Sequence, residues 1–342
     1  MNSGKVTIHD ISKALGIDSS TVSRALNDSP RVSKKTKAKI LAKATELGYQ
    51  RNILASNLRT NKTNTIGVVV PRISRNFFSN VIAGIEETAY EAGYNVLICQ
   101  SLESLEREQK IMATLLSNRV DGVLISISMQ TTSFEHLKPY KDYGSPIVFY
   151  DRPCSFEDCT SISINDFEAS FKATEHLILQ GCKNIVHFGG PQDIELYQNR
   201  KKGYKAALEK YGLKYEAPFC LISKLTEKEG TSMAKKVLKL KDVDGIFSVN
   251  DTAAISAIQY FKAHGVRIPE DIAIVGFNND PISAVIEPSL TTIDQPDFEM
   301  GKKAATLLMH QIKNKKSTGK SVVLTSKLVV RDSSKYKINT EV

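Results

Sequence analysis

From residue 66 onward the sequence alternates between short, mainly apolar runs and longer amphipathic stretches, and this alternation restricts the fold more than any other feature. Apolar runs at 66–70, 95–99, 122–127 and 147–149 are separated by helical patterns at 80–92, 106–117 and 134–143. A second series places runs at 185–188, 245–249 and 272–275 among helical patterns at 168–180, 196–211, 229–239 and 251–264. A run that is apolar along nearly its whole length, rather than at alternate positions, is covered on both faces, the mark of a parallel strand flanked by helices. Two such series in one chain predict an α/β body of two doubly wound parallel-sheet subdomains with a cleft between them. Ligands in such folds bind beyond the carboxyl ends of the strands. The stretch 290–330 adds a strand, a helix near 300–312 and two more strands.

The first 65 residues read differently. They hold eight lysines and four arginines against Asp10, Asp18, Asp28 and Glu46, a net +8 of the +9 carried by all 342 residues. A basic head on a nearly neutral body points to a polyanionic partner, nucleic acid or a membrane surface. Within the head, Thr7 and Asp10 make a capping-box-like start to a helix over 8–15, which Gly16 ends. A second helix is predicted from Asp18 or Ser19 to Asn27, burying Val22 and Leu26. A third, over 34–47, is capped by Ser33 and closes a small core through Ile40, Leu41, Ala44 and Leu47. Two helices joined through a short glycine turn form a helix-turn-helix, whose second helix enters the DNA major groove. Its outward residues are Ser19, Ser20, Ser23, Arg24 and Asn27, short donors and acceptors plus the arginine that reads guanine best.

Several function classes are excluded. The longest apolar runs are far too short to span a bilayer, so no membrane partner is expected. Five cysteines, Cys99, Cys154, Cys159, Cys182 and Cys220, are an odd number without metal-ligand spacing. They read as idle thiols of a reducing, cytoplasmic protein rather than a disulfide framework. No GxGxxG follows a strand, no HExxH or nucleophile elbow occurs, and Gly319-Lys320-Ser321 lacks a phosphate-loop glycine because position 314 is Asn. Neither an enzyme, nor a cofactor, nor a metal site is expected.

The stretch Val6-Thr7-Ile8-His9-Asp10-Ile11-Ser12, then Thr21-Val22-Ser23-Arg24-Ala25-Leu26-Asn27, then Val32-Ser33 and Thr36, resembles the head of the lactose-repressor (LacI/GalR) family. Gly48 to Leu58 resembles that family's hinge helix, with Arg51 in place of the usual proline and Ser56 in place of a common arginine. Thr65-Ile66-Gly67-Val68-Val69-Val70-Pro71 resembles its first core strand, and similar motifs continue to about residue 331.

The resemblance implies a helix-turn-helix domain at 1–50, a hinge and linker at 51–65, and an effector-binding and dimerisation body at 66–342. The body would resemble a periplasmic sugar-binding protein, with one subdomain at about 66–162 and 292–324 and the other at about 163–291 and 325–342. It implies a homodimer on near-palindromic double-stranded operator DNA. Thr7, Thr21, Ser33 and Thr36 join the DNA-facing set, together with Asn52, Ala55 and Leu58 of the hinge; Leu58 would wedge between base pairs in the minor groove. It further implies a small-molecule effector, a sugar or sugar derivative, held at strand ends by Arg75, Phe77, Phe78, Asp151, Arg152, Arg200, Asn250, Asp251 and Asn278. Asn278 stands where aspartate is usual and Leu225 where a stacking aromatic is common, while Arg72, Arg75 and Arg152 near the cleft mouth are compatible with an anionic sugar such as a uronate or phosphosugar. The function expected is a transcriptional repressor of carbohydrate-utilisation genes. The alternative, a solute-binding protein of a sugar transport system, shares the two-lobed body but is disfavoured by the basic head and the lack of an apolar leader at the start.

Overall fold

The computed structural model describes residues 6–49, 62–152, 156, 159–314 and 319–335. The hinge residues Asn52, Ala55 and Leu58, with Arg51, Ser56 and Cys154, lie outside the described residues. Two compact units meet between Thr63 and Asn64.

The first unit holds α1 (Ile8–Leu15), α2 (Ser19–Leu26) and α3 (Lys34–Glu46). Thr7 donates from its backbone N–H and its hydroxyl to Asp10, each at 2.7 Å, and Gly16 ends α1 in the left-handed region at φ 63°. Asp18 accepts from the Ser20 amide at 2.8 Å and Ser33 caps α3. Ile11, Val22, Ala25, Val32, Ile40 and Ala44 form the core. Leu41, expected inside, is 50% exposed. It follows Ile40 by one position, which is about 100° around the helix and off the buried stripe.

The second unit begins with β1 (Thr65–Val70), α4 (Asn76–Glu91), β2 (Asn95–Gln100), α5 (Leu105–Ser117) and β3 (Gly122–Ile125). It continues through α6 (Lys138–Tyr143), β4 (Ile147–Tyr150), β5 (Thr160–Ile164), α7 (Asp166–Leu179), β6 (Ile185–Gly189), α8 (Glu195–Lys210) and β7 (Cys220–Ile222). Then come α9 (Glu227–Val237), β8 (Gly245–Ser248), α10 (Asp251–Ala263), β9 (Ala273–Phe277), α11 (Ile282–Val285) and β10 (Thr291–Asp294). The last elements are α12 (Asp297–Asn314), β11 (Ser321–Leu324) and β12 (Lys327–Val329). One sheet runs β11-β5-β4-β3-β1-β2 and the other β12-β10-β9-β8-β6-β7. The same order therefore appears twice, each lobe placing its first strand next to the edge strand that follows it in the chain. Every pairing is parallel except β10 with β12.

Two strands escape a search for apolar runs. β7 has only three residues, and β5 reads Thr-Ser-Ile-Ser-Ile, with hydroxyls inside the fold. Thr160 is satisfied by Gln311 Nε2 at 2.6 Å, and Ser161 pairs with Ser321 at 3.2 Å. The helix expected over 134–143 is a 3₁₀ turn at Glu135–Leu137 followed by α6. α12 lies on α4 at backbone contact distance: a Cβ on Gly84 would sit 2.1 Å from the Phe298 carbonyl oxygen.

His187 on β6 is fully buried between Tyr204, stacked at 4.9 Å, and Phe247 at 5.3 Å. Burial, helped by Lys201 and Arg200, pushes its pKa from 6.5 down to about 3. The unfolded chain therefore binds a proton here below about pH 6.5 and the folded chain does not until about pH 3. Stability is full above that window and is lost as the pH falls through it. Buried carboxylates work the other way, so the contribution of His187 is read by difference. His187→Phe should gain about 3 kcal/mol on the wild type between pH 7 and pH 4, followed by urea melts. An unchanged gap would refute the assignment.

Candidate functional site

In the head, Thr7, Ser20, Arg24, Asn27 and Ser33 are exposed and Ser19, Thr21, Ser23 and Thr36 half-buried, so every described DNA-facing candidate reaches the surface. Several are also structural. The Thr7 hydroxyl is spent on Asp10, Ser33 and Thr36 pair at 2.8 Å, and the Asn27 amide donates to the Ser23 carbonyl at 2.7 Å. Ser19 lies 3.1 Å from His9 Nδ1, tying α2 to α1. Arg24 stands on α2, exposed, with its guanidinium in no hydrogen bond or ion pair among the described residues.

In the body, a cavity of about 410 Å³ collects the loops at the strand carboxyl ends of both sheets. Arg75, Phe77, Phe78, Asp151, Arg152, Arg200, Asn250 and Asn278 all line it. Arg75 precedes α4 and reaches across to the Thr252 hydroxyl of the other lobe. Phe77 and Phe78 meet edge to face at 5.1 Å, both nearly buried. Arg152 is gripped by Glu103 through two bonds of 2.8 and 2.9 Å and donates to the Ile127 carbonyl. Burial raises the Glu103 pKa, but Arg152 and the Met129 amide outweigh it and hold the carboxyl below its usual range. Burial raises the pKa of Asp151, whose backbone is left-handed at φ 66°.

In the facing lobe Arg200 donates to Asp166 at 2.7 Å and to the Val249 carbonyl at 2.8 Å, its guanidinium 3.6 Å over the Phe277 ring. Burial pushes Asp166 up to about 6 against the pull of Arg200, so the pair is ionised at neutral pH. Asn250 caps α10 through the Ala253 amide at 3.0 Å and donates to the Leu225 carbonyl at 2.9 Å. Asn278, at φ 115°, accepts from Gln295 at 2.8 Å.

Asp251 is a correction. It does not line the cavity but lies fully buried behind the wall, accepting from the Thr292 hydroxyl at 2.7 Å and the Asp280 amide at 2.8 Å. Burial pushes its pKa up to about 7. It is a brace between β10 and the loop after β9, placed at the first position of α10 immediately after its cap Asn250.

Glu103, Gln130, Tyr197, Lys224 and Gln295 line the cavity without having been singled out from sequence. The repeated strand order locates two of them. Glu103 follows β2 and Lys224 follows β7, equivalent edge strands, and both loops contain left-handed non-glycine residues: Leu102, Glu103 and Leu225. Such backbone strain gathers where side chains must be aimed.

Residues 7–52 match the model for bacterial regulatory proteins of the lacI family, and 174–334 match the periplasmic binding protein-like domain. The ribose operon repressor of Halalkalibacterium halodurans is 33% identical over 336 residues, 98% of this chain and 99% of that protein. The chain belongs to the lacI family. As a lacI-family protein it is a DNA-binding transcriptional regulator with a periplasmic-binding-protein-like body. The lac repressor dimer bound to operator shares the fold at a TM-score of 0.85, with 23% identity across 97% of this chain and 99% of that one. A LacI-family regulator from Enterococcus faecium, with bound ribose, superposes at a TM-score of 0.71, with 28% identity across 79% of this chain and 98% of that one. Among the described residues no helix is long and apolar enough to cross a membrane.

Proposed function

We propose that this lacI-family regulator is a homodimeric repressor of carbohydrate-utilisation genes whose hold on a near-palindromic operator is set by a sugar in the body's cavity. The observation that carries the effector is the cavity lining. An aromatic pair, Phe77 and Phe78, stands among Asp151, Arg200, Asn250 and Asn278, which converge from both sheets. Apolar walls with a few aimed polar groups suit a ring that carries hydroxyls. The ribose in the E. faecium relative and the name of the H. halodurans one agree with this.

The dimer is supported by β2. Leu97 and Ile98 are 40% and 45% exposed. Neighbouring strand residues point to opposite faces, so this edge strand leaves apolar surface open on both even though Val96 and Cys99 pack inward, a surface that pairing with a second copy would bury. The DNA contacts are assigned to Thr7, Ser19, Ser20, Thr21, Ser23, Arg24, Asn27, Ser33 and Thr36, with Asn52, Ala55 and Leu58 in the hinge. The division into a head at 1–50, a hinge at 51–65 and a body from 66 belongs to the same reading. A sugar that favours one arrangement of the lobes must change operator affinity by the same factor as operator changes sugar affinity.

The test is selection of duplexes from a random library by the full chain, then fluorescence anisotropy on the enriched sequence. A near-palindrome should emerge, with affinity falling steeply with salt. Arg24→Ala should weaken it by about 10- to 100-fold while relaxing preference at one base pair. An unenriched library would overturn the reading.

A further inference from the structure

Five cations and three carboxylates line the cavity. Arg152 is matched by Glu103 and lies 3.6 Å from Asp151, Arg200 is matched by Asp166 behind the wall, and Arg75 bonds Thr252 and acts on Asp280 through space. Two cations remain. Arg72, just past β1, and Lys224, just past β7, have side chains in no hydrogen bond or ion pair among the described residues. Arg72 acts on Glu103 only through space, and that carboxylate is already held by both Arg152 bonds and the Met129 amide. Lys224 is exposed and Arg72 half-buried, so both stand towards the mouth, while Arg152 and Arg200 are buried.

β1 belongs to one sheet and β7 to the other, so the two cations stand on different lobes. An interior whose arginines are already neutralised has no use for an anion on its floor. We infer that the effector is an anionic sugar, its ring in the cavity and its phosphoryl or carboxylate group bridging Arg72 and Lys224 across the mouth. The assignment rests on the sugar-effector reading and names the ligand class for that site. Phosphate and carboxylate oxygens both accept from arginine and lysine, and such charge-assisted bonds are the strong ones. Because the two cations belong to different lobes, the anion would also draw the lobes together, which a neutral ring at the floor cannot do from the mouth.

Calorimetric titration of the full chain with D-ribose, D-ribose 5-phosphate, D-ribonate and inorganic phosphate tests this. The phosphorylated or the carboxylated sugar should bind at least about tenfold tighter than ribose, and which of the two does so identifies the anion. Arg72→Gln and Lys224→Gln should each remove most of that advantage and leave ribose unaffected, while Lys224→Arg keeps it. Inorganic phosphate should bind weakly to the wild type and not to the double variant. If ribose and its anionic derivatives bind alike, or if the advantage survives in the double variant, the inference fails and the sugar site stands. Phosphate binding that depends on the pair, with no sugar bound, keeps the anion site and removes the sugar reading. Failure of every ligand, phosphate included, removes the anion site.

Discussion

Arg200→Ala should lower the stability of the body by about 3–5 kcal/mol, besides abolishing any effector response. The side chain is 4% exposed, and removing it strands the Asp166 carboxylate in the interior with its charge uncompensated. It also leaves the Val249 carbonyl without a donor and the Phe277 ring without its stacked partner. Failure of the alanine variant to bind ligand therefore does not by itself show that Arg200 touches the ligand. The pair replacement Arg200→Met with Asp166→Leu separates the roles. An apolar pair of similar volume should recover most of the stability, because buried ion pairs gain little over good packing, yet the effector response should stay absent. Urea melts of the full chain with and without effector measure both. A single alanine variant melting like the wild type would show that Asp166 is not held as described.

The second large effect concerns the head. Ile40→Ala removes a fully buried side chain from a core of six buried residues. Such a truncation costs about 2–5 kcal/mol, and a helical head this small has little more than that to lose. The head should be largely unfolded at 25 °C, with operator binding gone, while the melting transition of residues from Asn64 onward stays where it was. Calorimetry should show the low-temperature transition vanish and the high one persist. Retained operator affinity would mean that the head draws its stability from elsewhere.

The alternation of apolar runs was enough to read two parallel sheets, because parallel strands buried on both faces announce themselves in composition. It missed β5 and β7, where hydroxyls satisfied by Gln311 and Ser321, or sheer brevity, stand in for Val and Ile. For the cavity, strand ends taken with the family resemblance pointed to Arg75, Asp151, Arg152, Asn250 and Asn278, which line it. The burial of Asp251 behind the wall and the ion-pair partners Glu103 and Asp166 depend on three-dimensional pairings with no local trace. Glu103 sits 49 residues from Arg152 in the chain and Asp166 34 from Arg200. Lys224 had no period or motif to mark it; only the equivalence of β2 and β7 does so.

The two sheets interleave along the chain. It passes from the first to the second after β5, returns through α12, and passes again between β11 and β12. During synthesis, then, the first lobe cannot finish as it leaves the ribosome. Its β1 to β5 emerge early, but the helix that lies against α4 and the strand that closes the β5 edge arrive only after nearly the whole second lobe. Until about residue 324 is free, α4 offers the groove at Gly84 empty and β5 offers an unpaired edge. The second lobe is contiguous from α7 to β10 and lacks only β12 and the 3₁₀ turn at Asp332–Ser334, so most of the later lobe is in hand before the earlier one receives its last helix and strand.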